Sequence, residues 1–464
     1  MLKKWLNDKF LFNLYLISCI SVIMMWLVFE YIDFDSMTAW TMNIWDIIFS
    51  KELTLFDFYT YTGENIHGAW HDNCAGNYLW IVPWCLWNFP LWILTKIFDI
   101  TLVTGNYWCL CYSKLYLVLG HIAVAHITYL IVKKLGGQIN LYFIPLLILA
   151  SPEILISAEY AGQDEVVYLY VLLAAVYFCI SKKWNGCYVC CIVTVSMCPI
   201  MIIPVTAIIL CKEKDIIKIV LYEIGLLIPT VVFEMIYHKD ILYQSLKGIH
   251  SITSLGQEML STFVFSIGEE VFSVSLILCI FIYFYCYIQQ DIAEKDLIYL
   301  LTALMVDISF LMHNFYYRFL LYVPFLIVVI AVANPHNMDM NMFLFSILTY
   351  GRMLCFFRTP ARAVMNTSYV MKNSWITWLC DKIGNDNYLQ ERYLYLYIYG
   401  SKWKNMIALL SASVSIACIL LLLYMNKPNE KRNYQLKLNY RVSMVAYVMS
   451  MPLVLLVFFK MLWE

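Results

Sequence analysis

Asp33 and Asp35 stand one residue apart, just beyond residues 10–29, a hydrophobic run without a single charge. One carboxylate of such a pair can act as general base on a hydroxyl, and the two together can hold a divalent cation, Mg or Mn, against a phosphate. A solvated helix end carries the same spacing, so the position next to an apolar span is what gives the pair weight. A second group is Ala161-Gly162-Gln163-Asp164-Glu165, where glycine permits a tight turn and three polar side chains follow it. The bland alternative is a hydrophilic hairpin. The third group is His313-Asn314-Phe315-Tyr316-Tyr317-Arg318, with Asp307 inside the apolar run before it. His313 and Arg318 could stabilise negative charge on a departing phosphate. Alternatively, Arg318 snorkels to the membrane surface among interfacial tyrosines.

Groups so spaced need elements to position them, and composition says which kind. Of 464 residues, 62% are hydrophobic and 14% charged, and the mean hydropathy is +0.71. Soluble domains are about 25% charged, so the chain reads as an all-α polytopic membrane protein. Backbone groups in lipid must be satisfied internally, and nothing alternates like a barrel strand. A net charge of −1, from 31 basic and 32 acidic residues, gives no support to nucleic-acid binding. The 16 cysteines are scattered in apolar runs, and Cys187-Tyr-Val-Cys190 reads as buried small hydrophobes rather than a redox pair.

Besides the first run, apolar segments predict spans at 107–132, 139–158, 164–181, 215–237, 264–288, 297–312, 318–334, 341–357, 404–425 and 440–462. Residues 187–211 are broken by Pro199 and Pro204 and flanked by Lys183 and Lys212, so they read as two short helices that enter and return. Lys3, Lys4 and Lys9 place the N-terminus in the cytoplasm, as do Lys133-Lys134 and Lys182-Lys183 for later loops. That parity holds only if 78–98, with Pro83, Pro90 and four tryptophans, lies in the interface. Residues 31–106 then form one large external segment, and the count is about 13 transmembrane or re-entrant helices. The expected organisation is a catalytic module over 1–334 and a C-terminal region over 335–464. The latter holds a basic external segment, 358–404, with Arg358, Arg362, Lys372, Lys382, Arg392, Lys402 and Lys404. The C-terminal Met461-Leu462-Trp463-Glu464 has no retention signal, so a prokaryotic plasma membrane is the expected location.

Together these groups resemble the polytopic membrane glycosyltransferases of the GT-C superfamily, above all the mannosyltransferases of GPI-anchor assembly and their prokaryotic relatives. Tyr31-Ile32-Asp33-Phe34-Asp35, with Trp40 and Trp45 behind it, resembles that family's acidic motif after the first span. Gly162-Gln163-Asp164-Glu165 is similar to its external glycine turn, with glutamate in the last place. His313, Tyr316 or Tyr317, and Pro324 fit its later junction, and Pro204-Val205 its proline-broken pair. Met197-Cys198-Pro199 departs from relatives that carry a basic residue there, and the region after 335 aligns with nothing. The resemblance covers about residues 10–334. It implies transfer of a hexose, often mannose, from a polyprenyl-phosphate sugar to a hydroxyl of a glycolipid or glycan acceptor on the outer face.

In that scheme Asp35 or Asp33 is the base, and the other orients the acceptor or a cation. Gln163, Asp164 and Glu165 position the sugar or cation, and His313, Tyr317 and Arg318 sit near the phosphate. A lipid-borne donor needs no nucleotide-binding domain, and the chain shows neither a Walker A motif nor a dinucleotide fingerprint. Two rival classes remain: a lipid or solute transporter, and a polysaccharide polymerase or ligase, the latter sustained by the late basic segment. His67, His71, Asp72 and Cys74 suggest zinc only weakly, since adjacent ligands make poor geometry. His121 and His126 lie in a span with no carboxylate neighbour in sequence and read as helix–helix hydrogen-bonding groups.

Overall fold

A computed structural model describes residues 8–65, 78–100, 106–137, 139–160, 162–240, 243, 264–267, 270–311, 320–333, 335–358, 367–369, 404–428, 433, 434, 436 and 438–463. Helices dominate. In chain order they are α1 (Lys9–Val28), α2 (Ile32–Ile48), α3 (Phe58–Glu64), α4 (Val82–Ile97), α5 (Tyr107–Lys134), α6 (Phe143–Leu149) and α7 (Pro152–Ile154). After a π-helical segment, Leu155–Tyr160, come α8 (Glu165–Ile180), α9 (Trp184–Met197), α10 (Ile202–Lys212), α11 (Ile216–Tyr237), α12 (Val274–Ile288) and α13 (Glu294–Leu311). The chain ends with α14 (Val323–Val332), α15 (Met338–Arg358), α16 (Lys404–Met425) and α17 (Tyr440–Trp463).

Three of these helices, α1, α5 and α11, are long and apolar enough to cross a membrane, and there are five such spans if each of two bent pairs counts as one. The aliphatic surface supports that reading: Ile217, Leu221, Ile224, Ile228, Val232 and Met235 of α11 all lie exposed. Water-soluble helices turn such residues inward. By contrast α14 is apolar on every side and buried from Val323 to Ala331, which makes it core.

The chain divides into two compact units, each built from discontinuous pieces. The first comprises residues 1–32, 117–166 and 314–464. Here α15 packs against α16 and α17, and α1 packs against α17. Gly351 makes the close approach to α16 possible, because a Cβ there would fall 2.8 Å from Ser415 Oγ. Hydroxyls tie the same helices together: Ser411 donates to Gly351 O (2.6 Å), Ser346 to Ser443 O (2.8 Å) and Tyr350 to Ala446 O (2.8 Å). Asn341 and Asn426 exchange reciprocal amide bonds at 2.9 and 2.8 Å.

The second unit comprises residues 33–116 and 167–313. In it the 187–211 segment is a proline-broken pair as the sequence predicts: α9 ends at Met197, Cys198 is extended, and a 3-10 turn over Pro199–Met201 leads into α10. The expected span at 264–288 is different. Val264–Ile267 (β2) and Glu270–Ser273 (β3) form an antiparallel hairpin, and the helix starts only at Val274, with Ser273 Oγ accepting from Leu276 N (3.3 Å). Val264, Phe265 and Ile267 are β-branched or aromatic residues, which suit a strand, and Glu269 and Glu270 do not suit a bilayer. Over 31–106 the chain is largely helical where described, and 78–98 is a 3-10 turn followed by α4 with Pro90 inside it.

Candidate functional site

The acidic pair lies at the start of α2, where Asp33 and Asp35 are its second and fourth residues. Strand β1 (Phe29–Tyr31) leads straight into this helix and pairs antiparallel with β4 (Thr367–Tyr369), in the register Phe29↔Tyr369, Glu30↔Ser368 and Tyr31↔Thr367. β4 belongs to the late basic segment, so part of that segment is held beside the chain that carries the pair. On another side β1 packs against the π segment Leu155–Tyr160. The side chains of residues 29–33 and 35 lie outside the described part.

What fixes α2 is a buried knot of neutral polar groups. Ser113 Oγ on α5 accepts from Trp84 Nε1 (3.0 Å) and Asn88 Nδ2 (2.9 Å), both on α4, and stands 3.1 Å from Thr38 Oγ1 on α2. Asn88 Nδ2 also donates to Thr41 Oγ1 (2.9 Å), whose own hydrogen goes to Thr38 O (2.6 Å). Further along α2, Asp46 accepts from Trp92 Nε1 (2.8 Å) and pairs with Lys96 Nζ (2.7 Å). Three helices are thereby locked to one another by side chains that bury no net charge at Ser113.

The second predicted group sits on a turn of unusual build. The bent pair α6 and α7, which continues as the π segment, breaks by 42° around Ala150-Ser151-Pro152. Gly162 then takes φ +67°, a left-handed conformation that glycine adopts without penalty. Gln163 N donates back to Ser157 O (3.0 Å), which ties the turn to the π segment. Gln163, Asp164 and Glu165 are buried, at 6%, 8% and 3% exposure, where a solvent-facing hairpin would leave them open. Single π turns inside helices recur at functional sites.

Beneath this turn lies a pair that residue spacing does not announce. His121 Nδ1 on α5 is 2.7 Å from Glu159 Oε1 on the π segment, and both side chains are 0% exposed. The other ring nitrogen, Nε2, is 2.9 Å from Ile148 O at the end of α6. His121 thus makes the interhelical bonds the sequence predicts, with a carboxylate partner from a different element. A second buried set lies in the same unit. Ser151 Oγ donates to Glu153 Oε2 (2.9 Å), Arg352 is an electrostatic neighbour of Glu153 and faces the Tyr322 ring at 6.0 Å, and Tyr447 OH donates to Leu147 O (2.7 Å).

The clue available in sequence to His121 and Glu159 is only that each is an ionisable residue within an apolar run. Their pairing across 38 positions has no local periodicity to betray it. His313, Tyr317 and Arg318 lie outside the described residues, as do His67, His71, Asp72 and Cys74 and most of the basic segment. Asp307 is described, and it accepts a hydrogen bond from Ser275 Oγ on α12. Among the described residues no three His, Cys, Asp or Glu side chains gather as metal ligands. No family model, curated protein or solved structure matches this chain.

Proposed function

We propose that the protein is a membrane glycosyltransferase of GT-C type. It moves a hexose, in the first instance mannose, from a polyprenyl-phosphate sugar to a hydroxyl of a glycolipid or glycan at the outer face of a prokaryotic plasma membrane. The observation that carries this reading is a juxtaposition in the first unit. Strand β1, which ends at Tyr31, packs against the π segment, which ends at Tyr160. These are the stretches of backbone that precede the two acidic motifs in sequence, the motifs on which the family resemblance rests.

In the proposed reaction the acceptor oxygen attacks the anomeric carbon of the donor. Its proton passes to Asp35 or Asp33, and the bond from the anomeric carbon to the phosphate oxygen breaks. Polyprenyl phosphate leaves with the bonding electrons, and in the family scheme its charge is met by His313, Tyr317 and Arg318. Gln163, Asp164 and Glu165 would hold the sugar, or a divalent Mg or Mn ion whose charge would offset that of the phosphate. The fuller architecture of about 13 spans, with N-terminus in the cytoplasm, belongs to the same reading.

Membranes containing the protein are expected to move radiolabel from polyprenyl-phosphate mannose into a new product. Replacing both aspartates (D33N/D35N) should lower transfer by roughly 10²–10⁴-fold, the usual worth of a general base, without lowering the amount of folded protein. Undiminished transfer by the double variant removes the pair from the chemistry.

A second reading, a lipid or solute transporter, draws on the buried ionisable residues Lys114, His121, Glu159 and Arg352, since charges at membrane depth mark transport pathways. Substrate crossing a sealed vesicle with no new covalent product would favour it. The polymerase or ligase reading predicts instead a product that lengthens with time.

A further inference from the structure

The imidazole of His121 touches both halves of a broken helix. Ile148 precedes the 42° break and Glu159 follows it, and His121 reaches Ile148 O through Nε2 and Glu159 Oε1 through Nδ1. A carbonyl oxygen only accepts, so Nε2 carries a hydrogen. The 2.7 Å between Nδ1 and Oε1 then needs one more proton, since without it two lone pairs would face each other in a site with no solvent. With that proton the pair is neutral overall, whichever atom holds it.

The consequence runs on toward the acidic turn. Glu159 is the fifth residue of the π segment, and the turn is tied to the same segment by Gln163 N donating to Ser157 O. π geometry is poor in itself and persists where something holds it. An unbroken path of bonds therefore leads from Ile148 through the imidazole and Glu159 to the backbone that sets out Gln163, Asp164 and Glu165. We infer that His121 and Glu159 form a one-proton dyad that clamps the break in the helix and positions the acidic turn; both are positioning residues, not catalytic ones. Its effect on turnover rests on the glycosyl-transfer reading, whereas the dyad itself does not.

The test uses the full chain in lipid nanodiscs. Nitrogen-15 spectra of labelled histidine should show Nε2 of His121 protonated and Nδ1 sharing a proton, with the signal lost in His121→Phe. Hydrogen exchange across residues 155–165 should quicken in His121→Phe and Glu159→Ala. In Glu159→Gln it should stay slow, because a carboxamide can donate to Nδ1 of a neutral imidazole and rebuild the clamp. Where transfer is measurable, His121→Phe should lower kcat on the order of 10²-fold, the scale of an ångström-sized misplacement, with little change in donor KM. Glu159→Gln should restore what Glu159→Ala loses.

An unprotonated Nε2, wild-type exchange in His121→Phe, or Glu159→Gln as damaging as Glu159→Ala would each overturn the proposal. Should His121→Phe not fold, the wild-type nitrogen spectrum and Glu159→Gln still decide. Absence of transfer by the wild type from every polyprenyl-phosphate sugar offered would end the glycosyltransferase reading while the exchange and nitrogen results judged the dyad.

Discussion

Helix α5 carries two buried polar centres eight residues apart, and they are built on opposite plans. At Ser113 a neutral hydroxyl gathers neutral donors, Trp84 and Asn88, with Thr38 alongside. At His121 two ionisable groups face each other without solvent. A neutral knot costs little to bury once its donors are paired, and it answers the need to fix three helices. An ionisable pair is expensive to bury, and apolar side chains of the same volume would often serve stability as well or better. The contrast teaches which centre serves the frame and which has another employment: the costly one lies next to the buried acidic turn.

The strongest way to break that contrast is His121→Phe. Removing one partner of a buried pair should cost about 3–5 kcal/mol, read from denaturation of the detergent-solubilised chain. Ser113→Ala comes next, at about 1–3 kcal/mol, because the indole and amide donors lose an acceptor. It should spare the exchange pattern of residues 155–165, and a change there as large as that of His121→Phe would erase the distinction. Gly162→Ala forces a Cβ into left-handed backbone, worth roughly 1–2 kcal/mol, and should disturb the turn while leaving the Ser113 knot intact. Fluorescence of Trp84, which bonds to Ser113, would report whether the knot has moved.

The smallest expected effect is a pH dependence away from both centres. Asp57 Oδ2 accepts from Thr54 N and Thr54 Oγ1, both at 2.8 Å, and these bonds hold its carboxyl below the ordinary aspartate range. With the folded value the lower one, the cap's contribution is in place above the unfolded value and fades as pH falls through the folded one. Thr54 amide exchange should therefore stay protected through mildly acidic pH and quicken only below the ordinary aspartate range. The Ser113 knot, whose hydroxyl, indole and amide groups carry no titratable proton in that range, should be indifferent to it.

Much of the helical layout is legible in the chain because long, mostly apolar runs bounded by lysine, glycine and proline leave few choices. α1, α5 and α11 follow such runs, and Pro199 announces the break between α9 and α10. Hydrophobicity alone misplaces residues 264–273, where β-branched and aromatic residues around two glutamates make a hairpin instead of a helix start. The site divides in the same way. Gly162 and the polar residues after it advertise a turn, but their burial is a tertiary fact. So is the meeting of His121 with Glu159, for no periodic rule links positions on helices that pair only after folding.

The pairing of β1 with β4 sets a schedule. Tyr31 is made directly after the first helix, yet its strand partner Thr367 follows over three hundred residues later. At a synthesis rate of roughly 5–20 residues per second, the backbone just before Asp33 waits on the order of twenty seconds to a minute for its cover. During that interval the edge of Phe29–Tyr31 is open to other partners. A nascent chain released before β4 would own both aspartates and lack the strand beside the backbone that precedes them, so that backbone reaches its final setting only after Tyr369 has been made.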